Sequence, residues 1–220
     1  MRSDEGGKRS RQPRLRVRIF GPMKPYEAKQ FPRMKGLSGI SDGLLQDHYK
    51  LYEGYVKNVN ELTAQLEGLA KEGKGKGTNP AFAEMTRRLG FEYGGMVLHE
   101  LYFGNLAPEP DPLNKSGALA QALAQGFGSF EAWLDDFKAI AGMRGVGWAI
   151  AYQNPENRAI SNHWITLHND GHPPGFKPIV VMDAWEHAFV PDYKPTERSK
   201  YVDAYFRNLD WRACEARLIK

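Results

Sequence analysis

The sequence predicts an α+β protein: an N-terminal antiparallel helical hairpin, then a C-terminal domain with a three-stranded antiparallel sheet flanked by helices. Three observations carry this expectation. Apolar and aromatic positions from Leu45 to Leu69 recur at alternating steps of three and four, the period of one helical face. Residues 147–183 break into short apolar runs separated by polar turns, the pattern of short strands. Between the two regions lies Ala107-Pro108-Glu109-Pro110-Asp111-Pro112, a Pro-rich polar stretch that reads as a boundary.

Taken in order, residues 1–18 hold seven Arg and Lys against Asp4 and Glu5. That excess of five exceeds the net charge of +4 of the whole chain, so the remainder is about neutral. The basic character belongs to an arm, expected to be disordered over residues 1–20, although Arg14 to Phe20 alternates and could add a strand. Residues 21–108 form the second unit. Its first part, with Pro22, Pro25 and Pro32, reads as an extended segment wrapping the body, and Ser41 or Asp42 is a candidate N-cap. The long helix that follows carries His48, Tyr52, Tyr55 and Val59 on its inward stripe and leaves Asp47 off it. Glycines at 73, 75 and 77 form a turn. Asn79-Pro80 opens a helix over 81–89, and after Gly90 a further helix over 91–106 has an inward stripe of Gly95, His99, Tyr102 and Leu106. Each arm of the hairpin thus offers one inward histidine.

The third unit spans residues 114–220. Helices are expected over 118–125 and over 130–141, the latter capped by Ser129. A β-hairpin is expected from Gly147–Gln153 and 159–167, a third strand over 179–183, and closing helices over 201–207 and 211–218. Cys214 is the only cysteine, so no disulfide forms within the chain, and its thiol reads as half-buried. No apolar run reaches membrane-spanning length, and no hydrophobic leader follows the N-terminal arginines. The expected location is the cytoplasm.

The strand over 179–183 ends in Asp183, and His187 follows four residues later. A carboxylate at a strand end and an imidazole four residues on can converge on one metal ion. The surrounding string, Asp183-Ala184-Trp185-Glu186-His187-Ala188-Phe189, closely resembles the D-x-W-E-H-A-Y motif of the iron/manganese superoxide dismutases. The resemblance extends over about residues 38–218. Tyr55-Val56-Lys57-Asn58 looks like the family's Y-V-x-N, and the stretch from His99 to Leu106 looks like N-H-x-x-F-W-x-x-L. Gly145-Val146-Gly147-Trp148 is similar to G-S-G-W, and Asn208-Leu209-Asp210-Trp211 to N-x-x-N-W.

The resemblance implies a superoxide dismutase with His48, His99, Asp183 and His187 as ligands of one iron or manganese ion per subunit. Three imidazoles and one carboxylate suit either metal. It implies superoxide as substrate and Tyr55 and His168 as catalytic groups. Trp148, Trp185, Tyr102, Phe103 and His172 would support or line the pocket. It also implies a homodimer or tetramer in which Glu186 meets the partner's His187. The family places a side chain in hydrogen-bonding reach of solvent at the metal. One of its two places for that group is Gly95 here and therefore empty; the other falls in His168-Asn169-Asp170-Gly171-His172, with His168 the first choice and His172 the second. His163 reads as structural.

Three departures stand out. The spacing from His48 to Tyr55 is one residue short, and strict spacing would put Asp47 at the ligand position, whereas the helical stripe favours His48. The family's gateway histidine is missing, with Leu51 and Tyr52 standing there. Val190 replaces the aromatic that bonds that histidine across the subunits. Two other functions compete: a metal-binding homologue with little dismutase activity, and a nucleic-acid-associated protein that binds through the basic arm.

Overall fold

The structure, a computed structural model, describes residues 24–219; the expected arm over 1–20 lies outside the described residues. Helix α1 (Asp42–Lys71) begins where Ser41 Oγ accepts the Leu44 N–H, which satisfies one of the amides that a helix start leaves without a partner. It is α-helical throughout and buries Leu45, His48, Tyr52, Val56, Val59 and Leu66 along one stripe. Helix α2 (Pro80–Phe103) starts at Asn79, whose side chain accepts from Ala81 N and Phe82 N, with Pro80 in the first turn where no donor is needed.

The expected break at Gly90 does not occur: α2 is one helix through that position. Glycine inside a helix costs only about 1 kcal/mol relative to alanine, and α2 recovers this by packing antiparallel along α1. Residues 24–40 run without regular structure over the hairpin. Asn60 bonds both the N–H and the C=O of Tyr26, and the Tyr52 hydroxyl accepts from Lys29 N, so α1 itself clamps this segment.

Helices α3 (Ala118–Phe127) and α4 (Phe130–Ala141) cover strands β1 (Gly147–Gln153) and β2 (Ile160–Thr166). Strand β3 (Lys177–Asp183) completes an antiparallel sheet of order β2-β1-β3. All seven residues of β1 are buried, as expected for a central strand covered on both faces. Trp148 stands opposite Asp183 in the register, so both side chains leave the sheet on the same face. On the other face Trp133 and Phe137 of α4 are fully buried, and the Trp133 indole donates to Asn162 Oδ1.

The chain closes with α5 (Arg198–Arg207) and α6 (Trp211–Glu215), the latter shorter than the expected 211–218. Cys214 is fully buried, not half-buried, beside Asn105, and burial pushes its thiol up to about 12. Asn105 ties the end of α2 to the rest: its amide donates to Val181 O, and its backbone carbonyl accepts from Asp210 N. These bonds fix the hairpin against β3, which carries Asp183.

Candidate metal centre

Four side chains from four separate elements converge between the hairpin and the sheet. His48 comes from the second turn of α1, His99 from the last turns of α2, and Asp183 from the end of β3. His187 comes from the single 3-10 turn Glu186–Ala188 that follows. Ligand atoms of the four lie within 4.8 Å of one another. Asp183 Oδ2 is 3.1 Å from His48 Nε2, 3.1 Å from His187 Nε2 and 3.7 Å from His99 Nε2. The other oxygen, Oδ1, accepts from Trp185 N at 2.8 Å, which turns Oδ2 toward the imidazoles.

The protonation states follow from the partners. His99 Nδ1 lies 2.6 Å from Gly95 O, and a carbonyl can only accept, so Nδ1 carries the proton. Nε2 of His99 is then a bare lone pair, buried and without a hydrogen-bond partner among the described residues. A buried acceptor aimed at a carboxylate and two other imidazoles is costly as it stands and suits a cation between them. Burial lowers His48, with Asp183 opposing, and holds His99 well below its ordinary value, with His48 adding to the effect. Burial alone would raise the Asp183 carboxyl, but His187 and His48 outweigh it and hold it far below the usual carboxylate range. Three imidazoles, two of them held neutral by burial, around one ionised carboxylate are the donor set that a divalent or trivalent transition metal takes.

Aromatic side chains enclose the cluster. Tyr102 and Phe103 pack on His48 at centroid distances of 5.2 and 5.0 Å, and Trp148 meets His99 at 5.0 Å. The Tyr201 hydroxyl donates to Asp183 O at 2.8 Å and sits 3.0 Å from the Tyr102 hydroxyl, anchoring the ligand strand from behind.

His168 is fully buried at the edge of this shell. Its Nδ1 accepts from the Trp148 indole at 3.0 Å, so the neutral ring carries its hydrogen on Nε2, 2.7 Å from the Tyr55 hydroxyl. Trp185 stacks on it at 4.7 Å. Burial lowers its pKa to about 4, so the ring is neutral at physiological pH. Burial likewise raises Tyr55 far above the ordinary phenol range, so its O–H stays protonated.

The other expected residues divide clearly. Asp47 is exposed and pairs with Lys50, away from the cluster. His172 has both ring nitrogens engaged, with the Tyr152 hydroxyl and with His168 O. His163 bonds Ser161 Oγ. Glu186 is exposed. A Cβ on Gly95 would lie 2.6 Å from the Tyr55 ring, so the place without a side chain is filled by Tyr55. Phe91, which packs on the His168 ring at 4.6 Å, and Gly94, Tyr152 and Tyr201 were not legible as site residues. Each acts through a partner far away in sequence, and only the His-rich string around residue 168 hinted at such a contact.

Comparison with known proteins gives a consistent result. The family model described as iron/manganese superoxide dismutases, C-terminal domain, matches residues 115–217. A protein named superoxide dismutase [Fe] from Aquifex pyrophilus is 33% identical over 88% of this chain and 91% of its own length. Superoxide dismutase [Mn] 2 of Haloferax volcanii is 35% identical over 81% of this chain and 86% of its own length. Superoxide dismutase [Fe] of Pyrobaculum aerophilum is 34% identical, with 82% and 85% covered.

Proposed function

The chain belongs to the iron/manganese superoxide dismutase family, and from that premise we propose that His48, His99, Asp183 and His187 hold one iron or manganese ion per subunit and that the protein dismutates superoxide there. The observation that carries this reading is the buried set of three imidazoles around one carboxylate oxygen, with the His99 Nε2 lone pair left bare. When bound, the ion supplies a one-electron redox couple, so that two superoxide anions and two protons give one dioxygen and one hydrogen peroxide.

The chain's own residues supply the remainder. Asp183 contributes one negative charge, and the Trp185 amide fixes which of its oxygens faces inward. Gly95 O holds the His99 tautomer that presents a lone pair. The Trp148 indole orders His168, whose Nε2–H faces Tyr55. We assign the Tyr55 hydroxyl, whose oxygen accepts from His168 and whose hydrogen is left free to donate, as the group that reaches solvent at the centre, and His168, with both ring nitrogens engaged, as the residue that orients it. The Tyr55 phenol, half-buried and protonated, is the group placed to pass a proton toward departing peroxide. Tyr102, Phe103, Trp148 and Trp185 keep bulk water from the cluster.

A C2 dimer is part of the reading. Leu51, Leu167 and Val190 are large apolar side chains left exposed on the segments that carry His48, His168 and His187. Exposed apolar groups beside a functional site favour an interface, and Glu186 would meet the partner's His187. The chain divides at residues 108–114, and no helix of the described residues is long and apolar enough to cross a membrane. A cytoplasmic location is proposed because the sole cysteine is a buried free thiol. Metal analysis and a superoxide assay on one purified sample test the function. Iron or manganese near one per chain with activity proportional to it is expected; full occupancy without activity would overturn dismutation and leave a metal-binding homologue.

A further inference from the structure

The loop between β2 and β3 holds His168 by its backbone as well as by its ring. Leu167, the residue before it, adopts φ 56°, a left-handed conformation uncommon for a side chain with a Cβ. Reciprocal backbone bonds between Thr166 and Asp170 close the loop, at 2.8 and 3.2 Å. The carbonyl of His168 is then confined from two sides. Helix α2 comes so close that a Cβ on Gly94 would lie 2.2 Å from that oxygen. From within the same loop, four residues on, His172 Nε2 reaches it at 3.0 Å.

The roles in this second contact are fixed by chemistry. A carbonyl accepts only, so His172 Nε2 donates. His172 Nδ1 therefore accepts, and its donor is the Tyr152 hydroxyl at 2.6 Å. Burial keeps that phenol protonated by raising it far above its ordinary range. Tyr152 belongs to β1, the same strand that supplies Trp148. One strand thus fixes His168 twice: Trp148 orients its ring directly, and Tyr152 holds its main chain through His172.

We infer that His172, locked by Tyr152, is a positioning residue that sets the orientation of the His168 imidazole through its backbone carbonyl. It touches neither substrate nor metal ligand. The inference rests on the role given to His168 in the proposed function.

The test uses the metal-loaded protein and compares His172→Phe, His172→Gln, Tyr152→Phe, His168→Ala and the double variant His168→Ala/His172→Phe. Metal content, kcat and the visible absorption of the bound metal are read for each. Phenylalanine keeps the ring and removes the donor, while glutamine offers one donor and one acceptor in place of the two ring nitrogens. His172→Phe is expected to keep its metal, lose kcat by about 10-fold, the low end for residues that orient a metal site from outside, and shift the absorption band. His172→Gln restores most of both, and Tyr152→Phe shifts the band in the same direction. The double variant is expected to match His168→Ala alone, because the effect passes through His168. A further loss in the double variant, or an unchanged band and kcat in His172→Phe, overturns the inference. If His172→Phe does not fold, Tyr152→Phe carries the test, and an unaltered band and kcat there overturns it. Full activity in His168→Ala would instead sink the role given to His168, and the inference with it.

Discussion

Asp183 bears the one negative charge in a cluster whose other three members are imidazoles, and burial keeps His48 and His99 neutral. Metal retention therefore depends on which side chain of the first helix faces inward. His48 is 1% exposed, whereas Asp47 lies on the solvent side with Lys50. His48→Ala is expected to leave the purified protein with background metal, and Asp47→Ala to keep near-normal occupancy by elemental analysis; the opposite pair of results would assign the ligand to Asp47. This choice was legible in the sequence because a regular helix dictates its buried face. The roles of Tyr152 and Gly94 were not, because they exist only where β1 and α2 meet a loop distant in sequence. The buried histidines also set a pH dependence. His168 takes up a proton near its ordinary 6.5 in the unfolded chain but only at about 4 when folded. The unfolded state binds more protons between those values, so stability falls as pH drops from 6.5 to 4 and is level above. Burial of His48 and His99 acts in the same direction. Chemical denaturation of the metal-free protein at several pH values should show this decline, and His168→Gln should make it shallower.

At the scale of the element, one close approach shapes the site and one cap supports the helix that carries His48. Tyr55 lies against the backbone of α2 because Gly95 has no side chain. Gly95→Ala is expected to push the Tyr55 ring away from His168, leaving metal content intact while lowering kcat about 10-fold or more; a crystal structure of the variant with Tyr55 unmoved would contradict this. The helix carrying His48 begins at Ser41, whose hydroxyl accepts the Leu44 N–H. Ser41→Ala should cost about 1 kcal/mol in urea denaturation, with ligand geometry retained because His48 lies beyond the first turn. Helix starts at Ser41, Asn79 and Ser129 were readable since a cap is a local device. The continuity of α2 through Gly90 was not, since the packing of one helix on another outweighs one glycine's propensity. The same limit applied to Cys214, which is fully buried against residues distant in sequence, Asn105 among them.

For the whole molecule, the proposed dimer would cover Leu51, Leu167 and Val190, which are exposed in the single chain. Sedimentation at micromolar concentration should give a dimer, and Glu186→Ala should weaken it; a metal-loaded monomer would remove this assignment. Coverage of the cluster by both units has a consequence in time rather than in space. The hairpin supplies His48 and His99, and the chain must continue for more than eighty further residues before Asp183 exists. At about 5–20 residues per second, that interval is on the order of ten seconds on the ribosome. Throughout it the nascent chain offers the two hairpin imidazoles without Asp183, a nitrogen-only set that favours copper or nickel over iron or manganese. Selection of the productive metal is thus a task for the completed chain, since the full donor set exists only once Asp183 and His187 have joined the two hairpin imidazoles.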